Sequence, residues 1–143
     1  SEAAAELMAQ ALAALGLARA FVAYGADGLD EITTTGATLL FEVRAGQLAR
    51  RRVTPEDFGV PVAAPEDLKG GDARHNAEIA RAVLGGARGP QRDIVLVNAS
   101  AALVAAGKVA DFCQGMELAA RSIDCGAARQ ILERLAAFTQ RPA

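Results

Sequence analysis

Asp30 and Glu31 are adjacent carboxylates in the run Gly25-Ala26-Asp27-Gly28-Leu29-Asp30-Glu31, the one dense polar constellation in the first half of the chain. On an extended strand neighbouring side chains point to opposite faces, but on a turn opened by Gly28 both carboxylates can converge on one region. Two close carboxylates repel, and a cation relieves the repulsion. Hard oxygen donors with few other ligands suit Mg²⁺, which keeps several waters and binds through one or two carboxylates plus substrate phosphates. On spacing alone the alternative is an acidic turn that caps the next segment. Phe21-Val22-Ala23-Tyr24, just before the loop, is a short apolar run bounded by Gly25. The acidic loop therefore follows a buried strand, the position at which α/β proteins place their ligands.

The other polar candidates read as structural. Lys69-Gly70-Gly71-Asp72 looks like a phosphate loop only superficially. His75, the only histidine, falls on a solvent-side helical position beside Arg74 and Asn76. Asn98 and Ser100 lie within an apolar helical run and are expected to hydrogen-bond locally, because buried polar groups need partners. Cys113 and Cys125 suit neither a disulfide scaffold nor a zinc site and are expected as small buried helix residues. Arg50-Arg51-Arg52 reads as a solvated strand end.

The elements that must position these groups follow from pattern. Leu7, Met8, Ala11, Leu12 and Leu15 form the stripe of an amphipathic helix stopped by Gly16. Helix, short link and buried strand make half of a βαβ unit, so the strand at Phe21–Tyr24 is expected in a parallel sheet. Thr38–Arg44 and Gln47–Val53 flank Ala45-Gly46 and predict a β-hairpin with Gly46 at positive φ. Pro55-Glu56-Asp57 and Pro65-Glu66-Asp67 predict short helical starts, with proline first and acids in the first turn. A helix from Ala73 to Gly85 puts Ala77, Ala80, Val83 and Leu84 on one face, with Arg74, Glu78 and Arg81 pairing on the other. Asp93–Ala106 is apolar almost all round and predicts a buried central helix, although Ile94-Val95-Leu96-Val97 alone would also suit a strand. Phe112, Met116, Ala119 and Ile123 mark the next helix, and Ile131, Leu132, Leu135 and Phe138 the last, with Leu135 and Phe138 as its core anchors.

Composition limits the partners. The 143 residues carry 15 basic and 17 acidic side chains, a net charge of −2 and a pI near 5.4, which excludes the usual basic footprint of nucleic-acid binding. Apolar residues make up 52%, as in a folded domain, and no apolar run approaches the length of a membrane span. Glu2 and Glu6 stand where a signal peptide would be basic, so the expected location is cytoplasmic. The chain opens at Ser1 without methionine, already in a helical pattern, and reads as part of something longer.

An ordered set of motifs then resembles one family. Tyr24-Gly25-Ala26-Asp27-Gly28-Leu29-Asp30-Glu31-Ile32, Val53-Thr54-Pro55-Glu56-Asp57-Phe58-Gly59, Leu68-Lys69-Gly70-Gly71-Asp72-Ala73, Asp93-Ile94-Val95-Leu96-Val97-Asn98-Ala99, Ala106-Gly107-Lys108 and Ala136-Ala137-Phe138-Thr139 run in the order found in anthranilate phosphoribosyltransferases. The resemblance spans essentially the whole chain. It implies an α/β fold of the nucleoside-phosphorylase/phosphoribosyltransferase-like kind, here the C-terminal part of the large domain, mostly helical with a short parallel strand and a β-hairpin. Residues 1–143 would be a partial large domain, with the N-terminal helical domain and the diphosphate-binding segments lying outside them. The implied reaction moves the phosphoribosyl group of phosphoribosyl pyrophosphate to the amino group of anthranilate, releasing pyrophosphate, in tryptophan biosynthesis. The pair matching Asp30 and Glu31 would hold Mg²⁺ near the pyrophosphate, and the full-length enzyme would be a homodimer joined through its small helical domain. The residues that bind phosphoribosyl pyrophosphate and anthranilate would lie outside the chain, and Tyr24 replaces the family's usual histidine. The competing class is a non-catalytic α/β binding module, or a paralogue that kept the fold and lost the reaction.

Overall fold

A computed structural model describes residues 1–140. Its elements are α1 (Glu2–Ala14), β1 (Arg19–Gly25), β2 (Thr38–Arg44), β3 (Gln47–Val53), α2 (Ala73–Leu84), α3 (Pro90–Ala105), α4 (Phe112–Asp124) and α5 (Ala127–Thr139). Short 3₁₀ turns stand at Pro55–Phe58 and Pro65–Leu68, where the two Pro-Glu-Asp steps predict helical starts. The architecture is α/β and mostly helical, with a three-stranded sheet in the order β1-β2-β3.

The hairpin forms as expected. Ala45 and Gly46 both take positive φ, 50° and 77°, the backbone that lets a two-residue turn follow the twist of its strands. β1, by contrast, pairs antiparallel with β2, in a register that sets Tyr24 opposite Leu39. The parallel pairing expected for this strand is not what it makes within the chain. The loop after β1 returns the backbone directly into β2, and a direct return of this kind yields an antiparallel neighbour.

Both faces of the sheet are covered. Ala5 and Ala9 of α1 pack on Val22, Phe41 and Val43. The opposite face sets Leu40 and Val53 against Val97 and Ala101 of α3, with Ile32, Phe58 and Val60 completing the cluster. α3 is thus the central helix that the apolar run predicts, and the Ile94–Val97 segment is helical. Behind it Val83, Leu96, Ala119 and Ile123 join α2, α3 and α4. Two contacts set the spacing of these layers. Arg19 donates twice to Glu42 (2.7 and 3.0 Å) and once to the Val104 carbonyl at the end of α3 (3.1 Å), tying sheet to helix. Gly115 lets α4 cross α3 so closely that a Cβ there would stand 2.8 Å from Cβ of Ser100 and 2.9 Å from its backbone.

Several sequence expectations are corrected. In α1 the sheet is met by the small residues Ala5 and Ala9 with Leu12 and Ala13, while Leu7, Met8 and Leu15 point outward, Leu15 at 75% exposure. Small side chains let the helix axis approach the sheet, and that gain outweighs burying the longer ones. Leu135 (57% exposed) and Phe138 are likewise outward on α5, which packs on the helical cluster through Ala128 instead. Cys113 and Cys125 are both exposed, one on the outer side of α4 and the other at its C-terminal cap. Arg50, Arg51 and Arg52 lie within β3 rather than at its end: Arg50 pairs with Glu2, and Arg51 stacks its guanidinium on Phe112. Arg74, Glu78 and Arg81 make no ion pair among the described residues.

Two substitutions test this packing in the 143-residue chain. Gly115→Val should overpack the α3–α4 crossing and cost about 1–3 kcal/mol. Leu135→Ala should cost no more than about 1 kcal/mol, since truncation at exposed positions rarely costs more. Denaturant titration of both variants checks the order, which a buried Leu135 would reverse.

Candidate functional site

The acidic loop begins where β1 ends. Gly25 is buried there, and a Cβ on it would run into the Asp27 carboxylate and stand 3.2 Å from the Leu29 carbonyl. That close approach closes a tight turn. The Gly25 amide donates to the Leu29 carbonyl and the Gly28 amide to the Gly25 carbonyl, both at 2.9 Å, with Gly28 at φ 94°. Asp27 is the hub. Its Oδ1 accepts from the Leu29 amide at 3.0 Å, and its Oδ2 accepts from the hydroxyls of Thr33 and Thr35, each at 2.5 Å. Thr33 is itself held by a 3.0 Å bond from its amide to the Thr38 hydroxyl at the start of β2. The Thr33-Thr34-Thr35 run thus closes the loop on the Asp27 carboxylate.

Beyond the turn, Ile32 is pinned from α3. The Asn98 side chain accepts from the Ile32 amide and donates to the Ile32 carbonyl, both at 2.9 Å, and donates again to the Ile94 carbonyl at 3.0 Å. Of the two amide and hydroxyl groups expected to bond locally, Ser100 does so, with the Val97 carbonyl. Asn98 does more: it reaches across 66 residues of sequence to the candidate site. Sequence pattern gave no partner for it, though a lone amide within Ile94-Val95-Leu96-Val97 and Ala99-Ser100-Ala101 is a signal of long-range bonding.

Asp30 and Glu31 occupy the two positions between these anchors. Both are exposed, and neither makes a hydrogen bond or ion pair among the described residues. Partial burial pushes the Glu31 carboxyl above its ordinary value, and the negative charges of Asp30 and then Asp27 push it further. Burial acts in the same direction on Asp27, but the Thr33 and Thr35 hydroxyls and the Leu29 amide outweigh it and hold that carboxyl below the ordinary range. The Asp30 and Asp27 charges thus bear on Glu31, and neither Asp30 nor Glu31 has a cationic partner among the described residues. This donor set fits a hard divalent cation. No group of three or more acidic, cysteine or histidine side chains among the described residues forms a metal cage, so an ion here would keep most of its shell for water and substrate oxygens.

A groove of about 450 Å³ opens beside Glu31, walled by Leu29, Leu68, Ile79, Ile94 and Val95 and edged by Asn76 and Gln91. A second depression, about 390 Å³, borders Asp27 and Thr35 and carries Lys69. The Lys69–Asp72 segment is a helix-entry turn rather than the phosphate loop its glycines suggest: Asp72 caps α2 through the His75 amide at 2.8 Å, and Asn76 clasps the backbone of Gly71. His75 is exposed on the first turn of α2. Tyr24 lies on the α1 face of the sheet, in a depression with Arg50 and Arg52.

The shifts of Asp27 and Glu31 carry opposite signs for stability. Asp27, with its pKa lowered, contributes stability above its unfolded value, and that contribution is lost as pH falls through the folded value. Glu31, with its pKa raised, favours the fold below its unfolded value, and that contribution is lost as pH rises through the folded one. Without divalent metal, Glu31→Gln should therefore raise the melting temperature at pH 7 and leave it unchanged near pH 4, while Asp27→Asn should lower it at pH 7. Thermal melts across that range check both signs.

Comparison with known proteins places this geometry in a family. A family described as Glycosyl transferase family, a/b domain, matches residues 1–129. The chain is 65% identical over 135 residues to the anthranilate phosphoribosyltransferase of Solibacter usitatus, covering 94% of this chain and 40% of that protein. It is 50% identical over 135 residues to the enzyme of that name from Methylobacterium nodulans, with the same coverage. The crystal structure of anthranilate phosphoribosyltransferase from Thermus thermophilus superposes with a TM-score of 0.87 at 37% identity, covering 99% of this chain and 41% of that one. The Saccharomyces cerevisiae enzyme, in a complex with phosphoribosyl pyrophosphate and Mg, matches with a TM-score of 0.72 at 25% identity over 79% of this chain and 33% of that one. The chain spans about 40% of the length of the curated relatives it matches. On its fold, its acidic loop and these matches together, the chain belongs to the glycosyl transferase family defined by that a/b domain.

Proposed function

We propose that residues 1–143 form the C-terminal part of the large α/β domain of an anthranilate phosphoribosyltransferase, with the small helical domain and the diphosphate-binding segments supplied by the rest of the polypeptide. In this reading the whole enzyme transfers the phosphoribosyl group of phosphoribosyl pyrophosphate to the amino group of anthranilate and releases pyrophosphate, in tryptophan biosynthesis. It works in the cytoplasm as a homodimer and binds neither nucleic acid nor membrane. No helix among the described residues is long and apolar enough to cross a membrane. The observation that carries the reading is the pair Asp30 and Glu31, exposed and unpartnered beside an Asp27 carboxylate that accepts three hydrogen bonds, in a chain 65% identical to an enzyme of that name.

Mg²⁺, when bound, would neutralise the charge that builds on the departing pyrophosphate. Asp30 and Glu31 are the residues that would hold it. Their lack of protein partners leaves their oxygens available, and their mutual repulsion is the electrostatic cost a cation removes. Asp27, saturated by three donors, shapes the loop rather than ligating. No side chain of this chain is assigned a proton: an aromatic amine needs positioning more than activation, and His75 belongs to the entry of α2. The Saccharomyces enzyme's complex with phosphoribosyl pyrophosphate and Mg supports a place for Mg²⁺ in the reaction. The retained Asp30-Glu31 pair favours the enzyme over a fold kept without the reaction.

In the full-length enzyme, Asp30→Ala and Glu31→Ala should each weaken Mg²⁺-dependent turnover far more than anthranilate binding. Steady-state rates over a Mg²⁺ series, set against anthranilate affinity, test this, and an unchanged Mg²⁺ dependence in both variants would refute it. The 143-residue chain alone should show no turnover, because positioning the reacting carbon and amine supplies about 7–11 kcal/mol of barrier reduction. Assay of the purified chain for phosphoribosyl-anthranilate in excess Mg²⁺ tests that expectation, and turnover near that of a full-length relative would contradict it.

A further inference from the structure

Asn98 stands in the middle of α3, where the helix itself gains nothing from an amide. Asparagine is a weaker helix former than alanine because its side chain competes for backbone groups. Here most of that competition is turned outward. Three of the four hydrogen-bonding positions of the amide are filled, two of them by the amide and carbonyl of Ile32 at 2.9 Å each. The reciprocal pair has the pattern of two residues exchanging bonds across an antiparallel ladder. One side chain does for Ile32 what a neighbouring strand would do. A side-chain amide suits this, since it sets a neutral donor and an acceptor side by side whatever the pH.

The Ile32 side chain is 3% exposed, in the cluster with Leu40, Phe58 and Val97. Ile32 is therefore fixed by its side chain and by both backbone polar groups. On the other side Leu29 is fixed through its amide to Asp27 and its carbonyl to Gly25. Asp30 and Glu31 are the two residues left between these points. Their charges oppose convergence, so if either end could turn, the carboxylates would swing apart.

We propose that Asn98 is a positioning residue whose amide holds Ile32 and so fixes the backbone from which Asp30 and Glu31 reach a divalent cation. The proposal rests on the reading of that pair as the cation site and adds the residue that sets its geometry.

The test uses the full-length enzyme, with Mn²⁺ titrated by calorimetry in excess pyrophosphate so that no turnover occurs. Asp30→Asn reports on the cation site itself, and Asn98→Ala on the clasp. Backbone hydrogen exchange at Ile32 and anthranilate affinity are read in parallel. Asn98→Ala should weaken Mn²⁺ binding about tenfold to a hundredfold, the range for residues that orient metal ligands. It should also speed exchange at the Ile32 amide and leave anthranilate affinity unchanged, whereas Asp30→Asn should weaken Mn²⁺ without speeding that exchange. If Asp30→Asn weakens Mn²⁺ while Asn98→Ala leaves it within about twofold, the positioning role is overturned and the cation reading stands. If neither variant changes Mn²⁺ binding, both readings fall. Should Asn98→Ala not fold, Asn98→Ser takes its place: the hydroxyl can still bond the Ile94 carbonyl but is too short to clasp Ile32, and it must show the same loss. Rapid exchange at Ile32 in the parent enzyme would itself overturn the proposal.

Discussion

Asp30 and Glu31 repel each other one peptide apart, and Asp27 adds a third charge close enough to bear on Glu31. Left to electrostatics, this loop would open. It stays closed because nearly everything around the pair is bonded more firmly than the pair is repelled. Asp27 is occupied by two hydroxyls and an amide, the turn behind it closes on Gly25, and Ile32 is locked in the core. The rest of the fold serves this lock. β2 supplies Leu40 and the Thr38 hydroxyl, the turn after β3 supplies Phe58, and α3 supplies Val97 and Asn98. Sheet and helix are in turn held to each other by Arg19, which reaches Glu42 and the last turn of α3.

Two carboxylates of one loop are thus shifted in opposite directions by their surroundings. Asp27 is stabilised as an anion and spent on structure, while Glu31 is left short of partners. Opposed shifts of this kind mark a division of labour between ionisable groups. A carboxylate already accepting three hydrogen bonds has little to offer a metal, and one whose charge is destabilised gains most from it. The same local accounting explains the glycines at either end of the turn. Gly25 admits the Asp27 carboxylate against the backbone, and Gly28 takes a φ that side chains disfavour.

Much of this was legible in the residues. Ala45-Gly46 between two β-rich runs dictates the hairpin to the residue, because turn chemistry is local. Proline at the head of each 3₁₀ turn marks a start for the same reason. The acidic pair could be singled out by type and spacing alone. What the sequence concealed is what depends on distance. The direction of β1 pairing turns on which strand lies beside it. The face of α1 that meets the sheet turns on how closely a helix can approach, which favours Ala5 and Ala9 over Leu7 and Leu15. The apolar period of α5 likewise gave Leu135 as an anchor, while Ala128 makes the contact and Leu135 is exposed. Asn98 is the most instructive case, since its partner lies 66 residues away and only the folded backbone brings them together.

The central claim is that Asp30 and Glu31 together ligate the divalent ion of the reaction. Anomalous diffraction from crystals of the full-length enzyme grown with Mn²⁺ and pyrophosphate tests it most directly, because Mn²⁺ takes the same oxygen ligands as Mg²⁺ and can be located without ambiguity. The account predicts an anomalous peak within coordinating distance of both the Asp30 and Glu31 carboxylates, completed by pyrophosphate oxygens and water, with Asp27 still bonded to Thr33 and Thr35. A fully coordinated Mn²⁺ on the pyrophosphate that neither carboxylate touches, directly or through water, would contradict it.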